Sequence, residues 1–120
     1  MLLEIIALFI GVLAGTFTGL FPGIHANLIA VFLLSITPKL LNYTSPLSLA
    51  IFIVSMSITH SFLDFIPSIF LGAPDEDSFL SVLPGHELLK EGKGYEAVVL
   101  TLYGSLVALI IITIFIPIFI

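Results

Sequence analysis

The sequence predicts an all-α integral membrane fold of three to five membrane segments, with helices broken or made re-entrant by proline and glycine. Three observations carry that reading. The 120 residues are 59% hydrophobic and only 9% charged, whereas a soluble domain has roughly a quarter of its residues charged. The mean hydropathy is +1.29. The apolar residues gather into runs long enough to cross or enter a bilayer, and Pro22-Gly23 and Pro67 fall inside such runs. Composition also excludes several functions. Three Lys or Arg residues cannot supply the basic surface that nucleic acid requires. The absence of cysteine removes disulfides and thiolate metal sites. Met1-Leu2-Leu3-Glu4 has no basic n-region, so the N-terminus reads as a retained span and not a signal peptide. The net charge of −5 belongs mostly to one segment, between Asp75 and Glu96.

Residues 2–21 form the first apolar run, and about 20 residues cross roughly 30 Å of hydrocarbon. Gly11, Gly15 and Gly19 recur every four residues within it. They form a stripe that lets a second helix approach to backbone distance. Pro22-Gly23 then interrupts the helix in apolar surroundings. Proline removes a backbone donor, and glycine opens angles closed to other residues. Freed backbone groups are costly in hydrocarbon unless protein or trapped water satisfies them. The second run, 24–36, is short for a straight crossing and reads as half of a broken helix, a re-entrant segment or a span completed by its flanks. Residues 37–46 read as a polar loop punctuated by Pro38 and Pro46.

Residues 47–73 are long for one crossing and short for two. A span ending near His60, followed by a short second half-helix, suits them best. Residues 74–95 form the main aqueous segment, with a short helix expected from Ser78 to Leu83. Residues 97–116 make a last, lipid-facing span. The chain ends at Ile120 while still apolar, which reads as part of something longer, because spans usually close on charged or interfacial aromatic residues. Lys39, Lys90 and Lys93 favour one cytoplasmic side for both polar loops. Segment 47–73 would then enter and leave on the same side.

The candidate site residues are the ionisable and polar groups beside the breaks. His60 and Asp64 are four apart and share a helix face. An Asp at the bilayer centre costs about 2.5–3.5 kcal/mol on insertion scales, which favours a proton relay, cation ligand or substrate contact over an idle charge. His25 and Asn27 follow the Pro22-Gly23 break, either as site groups or as caps for freed backbone. Asp75-Glu76-Asp77 is a cluster of hard-cation ligand type, but it lacks the twelve-residue calcium-loop pattern and reads better as a solvated helix N-terminus. A metal enzyme built on His25, His60 and His86 lacks any ligand spacing of the His-Glu-x-x-His kind.

Two stretches resemble a known family. Gly11-xxx-Gly15-xxx-Gly19-xx-Pro22-Gly23 resembles the N-terminal glycine motif of the TctA family, the large membrane subunit of tripartite tricarboxylate transporters. Ile66-Pro67 through Leu71-Gly72-Ala73-Pro74, followed by Leu83-Pro84-Gly85-His86-Glu87 and Lys93-Gly94-Tyr95-Glu96-Ala97, is similar to its second motif. The resemblance covers about residues 11–97. It implies half of an inverted-repeat transporter fold and cation-coupled transport of small carboxylates, with Na⁺ or H⁺ as the coupling ion. It also implies a remaining permease half, a small membrane subunit and a soluble solute-binding protein as partners, in the cell membrane. By motif position, Pro22 and Gly23 correspond to the first break and Pro74 to the second. The chain departs from the family where Pro74-Asp75-Glu76-Asp77-Ser78 replaces Pro-Gly-Thr-Pro and small residues, and where Pro84-Gly85 replaces Asp-Gly. Acidic residues there would repel a carboxylate, so either the solute is cationic or neutral, or a bound cation neutralises Asp75 and Asp77.

The first functional reading is therefore a unit of a TctA-like permease working by alternating access, with Pro22, Gly23, His25, Asn27, His60, Asp64, Pro74, Asp75 and Asp77 around the solute or ion. The second is a small helical membrane protein that self-associates through Gly11, Gly15 and Gly19 and transports nothing. Neither reading is enzymatic, and no other cofactor is expected.

Overall fold

The computed structural model describes residues 1–72 and 79–119. Among them every regular element is a helix: α1 Leu2–Leu20, α2 Ala26–Leu40, α3 Pro46–Leu63, α4 Phe65–Leu71, α5 Leu83–Lys90 and α6 Gly94–Phe119. Leu2–Leu20, Pro46–Leu71 and Gly94–Ile118 are long and apolar enough to cross a membrane. At 26 residues, α3 and α4 together reach about 39 Å. The 15 residues of α2 reach about 22 Å, short of the hydrocarbon thickness.

The tightest packing joins α1 to α3, and the glycine stripe causes it. A Cβ on Gly11 would collide with Ser55 Oγ and lie 2.6 Å from the Phe52 carbonyl. One on Gly15 would collide with the Met56 carbonyl and lie 2.7 Å from Thr59 Cβ. One on Gly19 would meet the His60 carbonyl at 2.8 Å and Leu63 Cβ at 3.0 Å. Only glycine admits so close an approach. The facing hydroxyls turn back on their own helix. Ser55 Oγ donates to the Phe52 carbonyl at 3.0 Å and Thr59 Oγ1 to the Ser55 carbonyl at 2.8 Å, so α3 presents no unsatisfied donor to the glycines. The stripe is thus filled from within the chain. It serves the helix packing expected from the sequence, and α3 covers the face that the second reading would use for self-association.

The same contacts fix direction. Each step of four along α1 matches a step of four along α3, so the two helices run parallel. α2 returns between them, because only the five residues 41–45 separate its end from the start of α3. Ser45 caps α3 by accepting the Ser48 N–H at 3.1 Å, with Pro46 at the first turn. α6 runs the other way. Ala97, near its start, packs on Ile69 of α4, Val99 and Tyr103 share a groove with Phe62, and Leu109 and Ile112 share one with Ser57 and Ile58. The loop around Asn42 and the segment around Lys90 and Lys93 therefore sit at opposite ends of the bundle. The one-sided placement that the three lysines favour is not what the helix directions give.

Two local expectations change as well. α2 continues through Thr37-Pro38-Lys39, which had read as loop, because a proline in the last turn breaks few bonds. Phe79–Val82 form turns, and the helix expected there begins at Leu83 with Pro84 in its first turn. It ends in a Schellman motif. Gly92, at φ +77°, donates to the Leu89 carbonyl at 2.9 Å, and Lys93 donates to the Leu88 carbonyl at 2.8 Å. Ile69, Val82 and Ala97 are buried together where α4, α5 and the start of α6 meet.

Candidate functional site

The site forms where two helix breaks meet. α1 ends at Leu20, and Phe21-Pro22-Gly23-Ile24 makes a β-turn closed by the Ile24 N–H on the Phe21 carbonyl at 3.3 Å. Proline at the second position and Gly23 at φ +89° are the requirements of a type II turn. Across from it, α3 and α4 join through Asp64, whose backbone stays near-helical. Pro67 has no N–H to offer the Leu63 carbonyl, which weakens the helix there. The glycine register lays these breaks side by side. Thr18, Gly19, Phe21, Pro22, Ile24, His60, Asp64, Pro67 and Ser68 line one small cavity of about 10 Å³, space for about one water or one small ion.

Its walls, at the ends of two apolar helices, are polar. Thr18 is 4% exposed, His60 5% and Ser68 1%. His60 Nδ1 and Thr18 Oγ1 are 3.0 Å apart, linking α3 to α1. The Thr18 hydroxyl also donates to the Gly15 carbonyl at 3.3 Å, which leaves its oxygen able to accept from the ring. Ser68 Oγ donates to the Asp64 carbonyl at 2.7 Å, which supports the chain at the Pro67 kink. The Ser68 carbonyl itself, in the last turn of α4 ahead of left-handed Gly72, accepts from His86 Nε2 on α5 at 2.9 Å.

The structure gathers some of the expected residues and separates others. Pro22, His60 and Asp64 line the cavity, and Gly23 sets the turn beside it. His25 is the exposed N-cap residue of α2 and makes no side-chain cap, and Asn27 is exposed in the first turn. They sit next to the break and not in the cavity with His60 and Asp64, because the turn at Gly23 sends the chain outward. Pro74, Asp75 and Asp77 lie outside the described residues. Within the described residues it is Pro67 that meets the first break. Thr18, Pro67, Ser68 and His86 were missed as a group. The signal available was Thr18 lying one residue before Gly19 on the packed face. Among the described residues no three His, Asp or Glu side chains gather to hold a metal, and His60 and His86 engage Thr18 and Ser68 instead.

A protein from Methanocaldococcus jannaschii, described as uncharacterized, is 45% identical over 106 residues, covering 87% of this chain and 25% of that protein. The chain thus spans about a quarter of the length of the curated relative it matches. No solved structure matches. The tripartite tricarboxylate transporter TctA family matches residues 5–120, from the start of the glycine-striped helix through the cavity and across α6, and the chain belongs to that family.

Proposed function

We propose that the chain supplies one unit of a membrane permease that moves a small solute, with carboxylates the family expectation, by cation-coupled alternating access. The observation that carries the reading is the convergence of the Pro22-Gly23 and Pro67 breaks on a buried cavity holding His60 and Asp64. Interrupted helices in apolar surroundings free backbone carbonyls for cations and present polar side chains where hydrocarbon would forbid them. Asp64 gives the coupling cation a purpose. A solute carboxylate about 6 Å from an ionised Asp64 is repelled by roughly 3 kcal/mol at an effective dielectric near 20. A Na⁺ or H⁺ taken up with the solute removes that repulsion, which makes uptake depend on the cation. The remaining permease segments, a small membrane subunit and a soluble solute-binding protein are the partners this mechanism calls for.

The test is uptake of labelled di- and tricarboxylates by the full polypeptide in membranes, with and without Na⁺ or pH gradients. Asp64→Asn is expected to abolish coupled uptake while the protein still inserts. Unchanged gradient-driven uptake in that variant refutes the assignment.

A further inference from the structure

We propose that the groove between α3 and α6 seats a membrane-spanning helix from the part of the permease that lies outside residues 1–120. The inference rests on the permease reading only for the existence of further spans, and its geometry is independent of the solute and of the coupling ion. α6 packs on α4 and α5 near its start, where Ala97 is buried. From Val98 to Ile118 none of its residues is buried. Over that length α6 stands off α3. A groove of about 380 Å³ runs between them, with Ser57, Ser61 and Phe65 on one side and Ser105, Ala108 and Ile112 on the other.

Lipid tails also cover apolar helix faces, so exposure alone does not choose the occupant. The polar lining does. Ser61 Oγ donates to the Ser57 carbonyl at 3.0 Å, but the Ser57 and Ser105 hydroxyls bond to no described residue. Hydrocarbon offers a hydroxyl no acceptor, whereas a neighbouring helix does. Serine and alanine are also the residues that let helices approach closely in a membrane. The contact between α1 and α3 is the contrast within this fold. There Ser55 and Thr59 turn their hydroxyls back on their own helix, and the faces close on glycine. Across the groove, α3 and α6 present the small and polar residues of a helix interface without closing on each other. Length supplies the occupant. This chain spans about a quarter of the curated relative, so a permease of that size has further spans to place against it.

The experiment is photo-cross-linking of the full polypeptide in its membrane. Photo-leucine, an aliphatic residue carrying a diazirine, takes the place of Ile112, which lines the groove. Its size is close to that of isoleucine, so the groove keeps its shape. After illumination the protein is digested, and the attached peptide is identified by mass. The expected product joins position 112 to an apolar peptide of the same polypeptide from outside residues 1–120. The same probe at Val107, an exposed α6 residue outside the groove, is expected not to reach that peptide. Attachment to lipid only, to peptides within residues 1–120 only, or to a second, differently tagged copy of the chain overturns the seat, as does the lack of any product. Equal yield of the outside peptide from both probe positions overturns it too. If the cross-link forms while Asp64→Asn leaves uptake unchanged, the transport mechanism fails and the seat stands.

Discussion

Gly15→Ala is the sharpest test of how the fold is held together. The added methyl would lie 2.7 Å from Thr59 Cβ and collide with the Met56 carbonyl. Carbon atoms rest comfortably at about 3.5–4.0 Å, so α1 and α3 must part by roughly 1 Å at that level. Overpacking of this kind costs about 1–3 kcal/mol. Alanine recovers about 1 kcal/mol of helix propensity over glycine, which blurs a single measurement. Gly104→Ala removes the blur. Gly104 lies in α6, and a Cβ there meets nothing within 4 Å, so it collects the propensity gain without the clash. The difference between the two variants isolates the packing cost, about 1–3 kcal/mol against Gly15→Ala. The assay is thermal unfolding of the full polypeptide in one detergent, followed by loss of monodisperse protein on heating. Equal melting of the two variants, or higher melting of Gly15→Ala, would refute the claim that the stripe carries the α1–α3 contact.

Two further expectations follow from the same geometry. Thr18→Val removes the hydroxyl bonded to buried His60 and is expected to cost about 1 kcal/mol, while Thr18→Ser keeps the hydroxyl and most of the stability; a Val variant as stable as the Ser variant refutes the link. Because α1 and α3 run parallel and α6 runs back, Asn42→Cys and Glu91→Cys are expected to react with an impermeant thiol reagent from opposite sides of sealed vesicles. Reaction of both from one side refutes the helix directions.

Much of the helical class was legible in the sequence because burial in lipid leaves a composition signal that needs no partner. The break at Pro22-Gly23 was legible for a similar reason: proline and glycine act locally, wherever the chain goes next. What the sequence did not reveal depends on tertiary register. Nothing about Thr18 in isolation distinguishes a hydroxyl that bonds its own helix from one that also receives His60, forty-two residues away. His86 sits in a polar segment and reads as solvated, yet its ring reaches the end of α4. The glycine stripe was visible as a packing face, but whether another chain or α3 fills it is decided by the facing surface, and Ser55, Met56 and Thr59 carry no mark of that in sequence. The side of the loops was not legible because three lysines give a weak bias, whereas close helix packing sets the helix directions.

The stripe has a role in the site beyond stability. A smooth apolar contact between two helices tolerates sliding by a turn, since one leucine packs much like the next. Three glycines facing backbone at Phe52, Met56 and His60 restrict it, because a slip by one, two or three residues sets a larger side chain where only hydrogen fits, and a slip by a whole repeat brings Ala7 or Gly23 to one of the three positions. The bond between Thr18 and His60 selects among these repeats, and with it Pro22 comes beside Asp64 and Pro67. A slip of one turn, about 5.4 Å, would remove His60 from Thr18 and leave each break alone in hydrocarbon with its freed carbonyls unmet. The stripe and the Thr18–His60 bond together therefore determine whether two costly interruptions share a single polar cavity. A substitution at Gly11, some two turns from the cavity, is expected to disturb the cavity through register alone.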